Sequence, residues 1–497
     1  MKAFLMFRDR DFDPEAASPA NQAELIKDLE LRLILRAMAN GDAFLVNIAC
    51  TALLVGLTDP AAIRYRQQVL EDCLSRVEVV RELYGIAVQA IEEERKIIVG
   101  FFRDSPDSML RRAVQVMEMF LTKLQQVRAV ADKQGAVFQS EGFTRFFQMI
   151  STELDDAYLA SVETHLKELT LDRGVLMNVQ LGQANKGENY VLQHSRRESL
   201  LERIGIAEKG YSFRIADRDI GGHRALSDLR DQAINDVADA LARSADHILS
   251  FFVMVRAELA FYVGCLNLRQ QLAARGQGVA FPVPEAAGTA VLTAEGLYDA
   301  SLALMTDKAV VGNNVGVDGK RLIIVTGANQ GGKSTFLRSI GQAHLMMQAG
   351  MFVAAGEYRG TISRSVFTHF KREEDAGMES GKLDEELARL SAIVDAITPG
   401  SLLLSNESFA ATNEREGSEI GRRVIRALVD EGVTVIAVTH LFDLASGFYR
   451  EQLPEAVFLR AERLPDGERT YRIVPGEPLP TSFGRDAYER IFGPDHA

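Results

Sequence analysis

The sequence predicts a mainly helical N-terminal region followed by a C-terminal domain in which strands and helices alternate. Three observations lead to this fold class. No proline lies between Pro106 and Pro282, so long uninterrupted helices are allowed there. Within that span, apolar residues recur at helical spacing. Beyond residue 293, short apolar runs rich in valine and isoleucine alternate with helical patterns, which is typical of α/β domains.

Two stretches of the N-terminal region have the apolar spacing of long, packed helices. Apolar side chains step by four and three residues from Leu110 to Leu124, and again from Ile248 to Leu266. Such a seam allows helices to pack lengthwise against each other. An intermolecular coiled coil would use the same pattern, but we favour the core of a helix bundle. The predicted helical domain covers residues 1–275.

A small β insertion is predicted within this domain, at about residues 173–218. Three runs, residues 174–182, 190–193 and 211–215, alternate in polarity and are separated by segments with glycine and asparagine. The insertion carries basic side chains that could touch phosphates, although solvated surface charge is the simpler explanation.

A change of composition marks the predicted boundary between the two parts. Glycine and proline cluster at residues 276–288, which predicts a linker over residues 276–292. The α/β domain then covers residues 293–497. A chain of 497 residues is long enough to give each part its own hydrophobic core.

Composition restricts the class of protein. No apolar run approaches the ~20 residues needed to cross a bilayer. The apolar stretch at the start of the sequence is too short, and charged residues follow it too early, for a secretory signal. Three scattered cysteines argue against a disulfide framework. The net charge of −13 does not itself indicate nucleic-acid binding, although local basic patches would still allow it. We expect a cytoplasmic protein with no membrane partner.

A glycine-rich sequence follows the strand predicted at residues 321–326. Gly-Ala-Asn-Gln-Gly-Gly-Lys-Ser-Thr fits the phosphate-binding pattern G-x-x-x-x-G-K-[ST], in which backbone N–H groups surround phosphate oxygens. The lysine would contact the outer phosphates, and the serine hydroxyl would ligate Mg²⁺. The sequence therefore predicts a P-loop NTPase domain that binds ATP and Mg²⁺. The predicted nucleotide-binding residues of this loop are Gly327, Asn329, Gln330, Gly331, Gly332, Lys333, Ser334 and Thr335.

A second polar cluster is predicted where the next apolar strand ends. The run Ser-Leu-Leu-Leu-Ser at 401–405 is followed by Asn406 and Glu407. Ligands bind at the carboxyl ends of the strands in open α/β sheets, so both side chains should face the nucleotide. Glu407 is a predicted catalytic residue, because its carboxylate can orient and polarise the attacking water. Asn406 and Ser334 are the predicted metal-binding residues.

Asn406 departs from the usual chemistry of its position. An aspartate normally stands there and holds the metal through the loop serine and water. The amide oxygen of Asn406 can still accept a hydrogen bond, but it carries no formal charge. We therefore expect weaker Mg²⁺ affinity and slower turnover than an aspartate would give.

The following apolar strand also ends in polar residues. Residues 433–438 lead to Thr439 and His440, which should emerge at the same edge of the sheet. A single histidine is usually structural, but this position favours a functional one. An imidazole there could bond the γ-phosphate or the attacking water. His440 is therefore the second predicted catalytic residue.

Taken together, these motifs resemble the MutS mismatch-repair ATPase family. Residues 326–335 are similar to the family's T-G-x-N-x-G-G-K-S-T, in which the asparagine and the double glycine are distinctive. Residues 401–407 are similar to its S-L-x-L-x-D-E strand, except at Asn406. Residues 439–440 and 481–484 look like its T-H pair and its S-[YF]-G sequence.

The resemblance implies an ABC-type ATPase fold for residues 310–490, where it is most specific, and helical levers in the N-terminal half. It also implies a homodimer with two composite ATP sites, whose levers relay the nucleotide state to a DNA-embracing end. In the family, a signature serine reaches across the dimer to the partner's γ-phosphate. Ser380 is the candidate for this nucleotide-binding role, although the aromatic residue that usually follows the serine is absent.

Other departures from the family bear on specificity. After the strand that ends at Asn406 and Glu407, the family's Gly-Arg-Gly is replaced by Phe-Ala-Ala at 409–411. No N-terminal mismatch-recognition domain, no Phe-x-Glu wedge motif and no endonuclease-like C-terminal extension fit the sequence. We therefore do not expect mismatch-specific binding.

Three functions are compatible with these features. The resemblance favours an ATP-dependent, DNA-associated ATPase of DNA repair or recombination that closes as a dimer on DNA without reading mismatches. The alternative is a nucleotide-switched interaction protein with weak or no hydrolysis, which Asn406 and the acidic balance would suit. A small-molecule kinase is disfavoured by the long helical half and by the lack of an obvious acceptor pocket.

Overall fold

The chain folds into two compact units, and each is built from two separate stretches of sequence. We call residues 1–4 and 78–259 the helical unit, and residues 5–77 and 260–497 the sheet unit. In the computed structural model the described residues are 1–99, 106–171, 176–183, 187–193, 214–216, 218–372 and 381–480.

Helices dominate the N-terminal part of the described chain. Several begin at a residue whose side chain accepts a hydrogen bond from the first turn, as Asp42, Asp59, Ser140 and Asp155 do. In chain order the helices are α1 (Gln22–Asp28), α2 (Leu31–Ala39), α3 (Ala43–Leu54), α4 (Pro60–Ser75), α5 (Val77–Val99), α6 (Pro106–Gln134), α7 (Glu141–Glu153), α8 (Asp156–Leu169) and α9 (Ile220–Ala273), with a 3-10 turn at Gly135–Val137.

The two apolar stripes expected from the sequence lie on α6 and α9. Leu110 and Leu124 are buried on α6, and Phe252 and Leu266 are buried on α9. Within the helical unit, the ring of Phe120 stacks on that of Phe252 with 5.8 Å between centroids. Both stripes therefore belong to the core of the chain itself, which confirms the prediction of a helix-bundle core over an intermolecular coiled coil.

A small antiparallel hairpin interrupts the helices. Its strands are β1 (Met177–Leu181) and β2 (Gly187–Leu192). They overlap two of the three runs expected in the β insertion. Most of the third run, at 211–213, lies outside the described residues.

Two sheets form the α/β part of the sheet unit. Their strands are β3 (Val283–Glu285), β4 (Leu292–Leu297), β5 (Asn313–Gly316), β6 (Leu322–Gly327), β7 (Glu357–Thr361), β8 (Val366–Phe370), β9 (Leu402–Asn406), β10 (Thr434–Val438), β11 (Ala456–Arg463) and β12 (Arg469–Pro475). The larger sheet has the order β12-β11-β6-β10-β9-β8, and its strands run parallel except for β12. The smaller sheet has the order β3-β7-β4-β5.

Helices cover the larger sheet and bury its central strands. Ile324, Leu403 and Val435 are almost fully buried, as expected for parallel strands that are covered on both faces. Leu428 and Phe448 pack in the same hydrophobic cluster from the helices. The helices of this part are α10 (Ala300–Met305), α11 (Lys333–Gln348), α12 (Lys382–Ala396), α13 (Glu414–Asp430) and α14 (Phe442–Glu451).

The register of the parallel strands brings the C-terminal parts of β6, β9 and β10 to the same level. Val438 of β10 lies opposite Val325 of β6 and opposite Asn406 of β9. The residues that follow these three strands therefore emerge side by side at one edge of the sheet. This is the edge at which ligands bind in open α/β sheets.

Two buried polar side chains of the sheet unit, Arg66 and Gln67, contact backbone carbonyl groups of other segments of the same unit. Arg66 is 2% exposed and donates to the carbonyl oxygens of Met6 and Ala349, at 3.3 and 2.9 Å. The neighbouring Gln67 amide donates to Pro282 O at 2.9 Å. These contacts provide hydrogen-bond donors for backbone carbonyl groups inside the protein.

The observed units differ from the domains expected from the sequence. Residues 5–77 pack with the sheets, whereas the prediction placed them in a helical domain over residues 1–275. The expected linker, residues 276–292, contains β3, which pairs with β7, and Ala280, which forms a bridge with Val353. Helical periodicity shows that one face of a helix is covered, but it does not show which element covers it.

One helix in the described part of the chain is long and apolar enough to span a membrane. It is Ile234–Ala273 of α9, where a window of 18 residues has a mean hydropathy of 1.7 and is 67% buried inside the protein. This criterion uses only the length and composition of a helix, so a buried core helix of a protein outside the membrane also meets it. The expectation of a cytoplasmic protein with no membrane partner stays a prediction.

Candidate functional site

Residues 327–335, which we call the glycine loop, run from the last residue of β6 into the first turn of α11. Gly327 and Gly332 have φ values of +108° and +88°, which glycine adopts without strain. Gly332 is also the N-cap residue of α11, so the free N–H groups and the positive dipole end of that helix face the loop. Strand, loop and helix therefore follow in the order that the phosphate-binding pattern requires.

The hairpin of β11 and β12 covers one side of the glycine loop. A Cβ added to Gly327 would lie 2.9 Å from Ala461 N, and one added to Gly331 would lie 2.7 Å from Ala461 Cβ. Glycine is needed at both positions because the hairpin leaves no space. From β12, Arg469 Nε donates to Asn329 O at 3.3 Å, which restrains the exposed tip of the loop. No local motif marks Arg469, and sequence reasoning missed it.

Lys333 is the first residue of α11 and is only 5% exposed. Its Nζ donates to the carbonyl oxygens of Gly327 and Ala328, at 3.0 and 2.9 Å. Burial lowers the pKa of Lys333 to about 8, while the charge of Glu407 opposes this shift and the charge of Arg469 adds to it. The buried ammonium group is positioned to form a charge-assisted contact with any anion that enters the loop.

Ser334 and Asn406 form a direct contact between the glycine loop and the end of β9. The Ser334 hydroxyl donates to Asn406 Oδ1 at 3.0 Å. Both groups are half-buried, and both present an oxygen toward the same space. The structure thus brings together the two residues that the sequence analysis expected to bind a metal ion. Oxygen ligands are those that Mg²⁺ takes.

Glu407 and His440 form a second contact, between the ends of β9 and β10. Glu407 Oε1 and His440 Nε2 are 2.8 Å apart, and the two side chains are 29% and 28% exposed. The hydrogen bond from His440 lowers the pKa of Glu407, and burial only partly opposes it. The carboxylate is therefore charged at neutral pH and accessible from one side, as a group that accepts a proton from water must be.

The other predicted residues differ in how exposed they are. Asn329 and Gln330 are exposed at the tip of the glycine loop, and Thr335 is half-buried in the first turn of α11. Thr439 is buried, and its Oγ1 accepts a hydrogen bond from Leu441 N at 3.0 Å. Ser380 and the sequence at 481–484 lie outside the described residues, so their predicted roles stay predictions.

A cavity of about 410 Å³ opens beside these residues. Gly327, Thr439, His440 and Asp443 are part of its lining. Two cavities of about 600 and 620 Å³ elsewhere in the sheet unit contact none of the predicted site residues. This cavity is therefore distinguished from the two larger ones not by its size but by the polar side chains that converge beside it.

Two family models match the chain. The model described as the MutS2 N-terminal domain matches residues 58–275, and the model described as MutS domain V matches residues 323–495. The chain belongs to the MutS family. This confirms the resemblance drawn from the motifs. MutS domain V is of the ATPase type, and its match contains the glycine loop, Glu407 and His440.

Relatives of this MutS-family chain share parts of its sequence. The DNA mismatch repair protein MutS of Chloroflexus aurantiacus is 27% identical over 256 residues, 50% of this chain and 26% of that protein. Endonuclease MutS2 of Anaeromyxobacter sp. is 35% identical over 151 residues, 29% of this chain and 18% of that protein. Endonuclease MutS2 of Thermus thermophilus is 32% identical over 149 residues, which are 30% of this chain and 20% of that protein. This chain thus spans about a quarter or less of the length of these relatives.

The loop after β9 departs from the MutS sequence pattern and has an unusual backbone. Glu407 and Phe409 have φ values of +53° and +67°. A left-handed conformation costs a residue other than glycine roughly 1–2 kcal/mol. Phe409 stands where the family pattern has its first glycine. Its carbonyl oxygen would lie 2.3 Å from a Cβ on Gly417, so α13 fits against this loop only with glycine there.

Buried polar side chains surround this loop, and sequence reasoning missed them. Ser408 Oγ lies 2.6 Å from His369 Nδ1 and 2.7 Å from Ser405 Oγ. The carboxylate of Glu386 accepts a hydrogen bond from Phe409 N. All five residues are buried. The available signal was the presence of serine and histidine inside apolar strands, where a polar side chain needs a partner.

The burial of His369 predicts that acid destabilises this MutS-family chain. Burial lowers the pKa of His369 to about 4, whereas the unfolded chain has a value of about 6.5. Below about pH 6.5 the unfolded chain therefore binds a proton that the folded chain does not. The free energy of unfolding should fall by roughly 2 kcal/mol between about pH 7 and 5 from this residue, as urea unfolding would measure.

Two variants test the source of this pH dependence. His369→Gln should lose less stability than the wild type between the two pH values, because it has no imidazole to protonate. The matched control is His165→Gln, at an exposed position of α8, which should keep the wild-type pH dependence. Equal losses in the His369→Gln variant and the wild type would contradict the assignment of a neutral, buried imidazole.

Proposed function

We propose that this MutS-family chain is an ATPase of the P-loop class that binds ATP and Mg²⁺ at the edge of its larger sheet. The observation that supports this most is the 3.0 Å hydrogen bond between Ser334 Oγ and Asn406 Oδ1. It joins the glycine loop to the neighbouring strand end where a nucleotide-bound metal ion would need oxygen ligands from both. The ATPase-type domain that matches these residues supports the same reading.

The triphosphate would bind in the glycine loop. Backbone N–H groups of the loop and of the first turn of α11 are the donors for phosphate oxygens. Lys333 Nζ now contacts the carbonyl oxygens of Gly327 and Ala328. A phosphate is a stronger partner for an ammonium group than a neutral carbonyl, so the lysine is expected to turn toward the nucleotide.

The donor set at the strand end fits a magnesium ion that arrives with the nucleotide. Ser334 and Asn406 offer neutral oxygens, so the negative charge would come from the phosphates. Among the residues that the structure describes, no group of three His, Cys, Asp or Glu side chains could hold a metal ion by itself. When bound, Mg²⁺ would neutralise charge on the phosphate oxygens.

Glu407 is the proposed catalytic base. Its carboxylate would orient a water molecule, whose oxygen forms a bond to the γ-phosphorus as the bond from phosphorus to the β–γ bridging oxygen breaks. The proton of the water passes to Glu407 or to the released phosphate, and the products are ADP and phosphate. His440 holds one carboxylate oxygen at 2.8 Å, which leaves the other oxygen for water.

The neutral Asn406 makes the metal dependence a test of this site. Asn406→Asp adds one negative charge beside Ser334, which should strengthen Mg²⁺ binding. We expect the Mg²⁺ concentration for half-maximal ATP hydrolysis to fall roughly tenfold, equal to about 1.4 kcal/mol. Steady-state hydrolysis measured over a magnesium titration would show it.

The control for this variant is Asn413→Asp. Asn413 is the N-cap of α13, and its side chain accepts from Glu416 N at 3.0 Å. Aspartate caps a helix about as well as asparagine, so the same change of charge should leave the metal dependence unaltered. An Asn406→Asp variant with the metal dependence of the wild type would argue against a metal ion at this position.

We also propose that the chain acts on DNA as a homodimer, in DNA repair or recombination and without mismatch-specific binding. The family assignment and the name of the Chloroflexus relative, a DNA mismatch repair protein, support an action on DNA in repair. In such a dimer, Ser380 of one subunit would contact the γ-phosphate held by the other. ATP would then shift the equilibrium toward the closed dimer by its greater affinity for that state.

A DNA-stimulation assay tests this proposal. Hydrolysis of ATP is measured with plain, mismatched and branched duplexes, at increasing salt concentrations. We expect stimulation that is similar for matched and mismatched duplexes and that declines steeply with salt, because backbone contacts release counterions. The absence of stimulation and binding with every DNA form would refute the DNA part, and a strong preference for mismatches would refute the expected specificity.

A second candidate function is that of a nucleotide-switched interaction protein with weak or no hydrolysis. The neutral pair of Ser334 and Asn406 favours it, because no carboxylate stands where one normally supports the metal. Single-turnover hydrolysis, with Glu407→Ala as the baseline, separates the two functions. A wild type that binds ATP but hydrolyses it no faster than this variant would support the switch.

A further inference from the structure

The loop that carries Glu407 has an unusual backbone conformation. Glu407 and Phe409 both lie in the left-handed region, at φ values of +53° and +67°, with the buried Ser408 between them. Residues other than glycine keep such backbone angles only when their surroundings fix them. The loop contains no glycine that could relax this requirement, because residues 409–411 read Phe-Ala-Ala.

One set of contacts fixes the loop from the side of β8 and β9. Ser408 Oγ contacts His369 Nδ1 at 2.6 Å, His369 O at 3.0 Å and Ser405 Oγ at 2.7 Å. Each of these groups is buried, so water does not compete for the hydrogen bonds. Burial lowers the pKa of His369 to about 4, which keeps its ring neutral next to the hydroxyl.

A second contact fixes the loop from α12. Glu386 is 6% exposed, and its carboxylate accepts a hydrogen bond from Phe409 N. Its backbone oxygen also lies 3.3 Å from His369 Nε2, so the helix contacts both parts of the arrangement. A buried carboxylate is costly unless it is hydrogen-bonded, and here the partner is the backbone N–H of a strained residue.

The third constraint is the ring of Phe409. The side chain is 2% exposed, and a Cβ on Gly421 of α13 would lie 2.9 Å from its Cδ2 atom. The ring therefore fills the space between the loop and α13. Residues 407–409 are therefore held on three sides. The Ser408 hydroxyl contacts β8 and β9, the Glu386 carboxylate of α12 accepts from Phe409 N, and the Phe409 ring packs against α13.

We propose that Ser408, His369 and Glu386 are positioning residues that hold Glu407 against His440 and couple its orientation to α12. They do not reach the nucleotide themselves and act through the backbone of residues 407–409. This inference rests on the proposed role of Glu407 in hydrolysis. It adds that movement of α12 would change the rate of the chemical step with little effect on ATP binding.

Two substitutions of Glu386 separate a positioning role from a merely structural one. Glu386→Ala removes the acceptor for Phe409 N, and we expect kcat for ATP hydrolysis to fall roughly tenfold or more while KM stays within about twofold. Glu386→Gln keeps an amide oxygen that can accept the same hydrogen bond. It should therefore restore kcat to within about threefold of the wild type.

Hydrogen exchange in the nucleotide-free protein provides a readout that does not depend on hydrolysis. Amides of residues 405–412 should exchange faster in Glu386→Ala and in Ser408→Ala than in the wild type, and Glu386→Gln should resemble the wild type. The control is Ser301→Ala, since Ser301 is also fully buried and donates to Glu30 O at 2.9 Å. That variant should leave exchange at 405–412 and kcat unchanged.

The two readouts give distinct outcomes. If Glu386→Ala leaves both kcat and the exchange of residues 405–412 unchanged, the inference is wrong. If Glu386→Ala and Glu386→Gln lower kcat and raise KM equally, the contact is only structural and the inference is also wrong. If the wild type binds ATP without hydrolysing it, the proposed catalytic function fails, and faster exchange in Glu386→Ala with wild-type exchange in Glu386→Gln still supports the positioning network.

Discussion

Replacing Lys333 by alanine should weaken ATP binding by roughly 100-fold or more, equal to about 3 kcal/mol. The side chain is buried at the base of the glycine loop, and its ammonium group donates to the neutral carbonyl oxygens of Gly327 and Ala328. A bound triphosphate would offer this group a charged acceptor at hydrogen-bond distance. Fluorescence titration with an ATP analogue would measure the loss.

The matched control is Lys320→Ala. Lys320 also donates to a backbone carbonyl, Pro454 O at 2.6 Å, but it lies outside the glycine loop. Its removal should leave ATP affinity within about twofold of the wild type. Equal affinity of the Lys333→Ala variant and the wild type would mean that the loop does not bind the phosphates.

Replacing Glu407 by glutamine should lower the rate of hydrolysis and leave binding intact. The hydrogen bond from His440 holds the pKa of Glu407 below its usual value, so the wild-type carboxylate is charged and can accept a proton. A glutamine side chain has nearly the same shape as glutamate, but its amide cannot accept a proton from water at neutral pH. We expect kcat to fall roughly 100- to 10,000-fold with an ATP dissociation constant within about twofold of the wild type.

The control for this prediction is Glu431→Gln, at the exposed C-cap of α13. It makes the same chemical change away from the site and should keep the wild-type kcat. Single-turnover hydrolysis would separate the chemical step from product release. A Glu407→Gln variant with wild-type single-turnover rates would contradict a catalytic role for this carboxylate.

The parts of the site that could be predicted from the sequence are those that depend on local order. The glycine loop is contiguous, so its pattern alone identifies residues 327–335. Asn406, Glu407 and His440 could be placed beside it because each follows an apolar strand, and the ends of parallel strands share one edge. The observed contacts of Asn406 with Ser334 and of Glu407 with His440 agree with that placement.

The parts that could not be predicted depend on which distant segments pack together. Arg469 contacts Asn329 only because the hairpin of β11 and β12 folds over the glycine loop. Glu386 reaches Phe409 from a helix 23 residues away in sequence. No periodicity or motif encodes either contact. The same limit explains why residues 5–77 were expected with the long helices rather than with the sheets.

The sequence shows that Phe409 stands where the family pattern has a glycine, but it does not explain how the loop tolerates this residue. The pattern alone indicates that Phe409 replaces a residue that could adopt positive φ freely. The structure shows that Phe409 keeps a φ of +67° and buries its ring. The apolar area removed from water by the ring can offset a strain of roughly 1–2 kcal/mol.

ATP and Mg²⁺ should bind together between the glycine loop and the strand end that carries Asn406 and Glu407. Isothermal titration calorimetry with a non-hydrolysable ATP analogue, with and without Mg²⁺, measures this binding. We expect saturable binding at one site per chain that is strengthened by Mg²⁺ and lost in Lys333→Ala. No binding heat in the wild type under either condition, or equal binding in Lys333→Ala, would show that the nucleotide does not bind there.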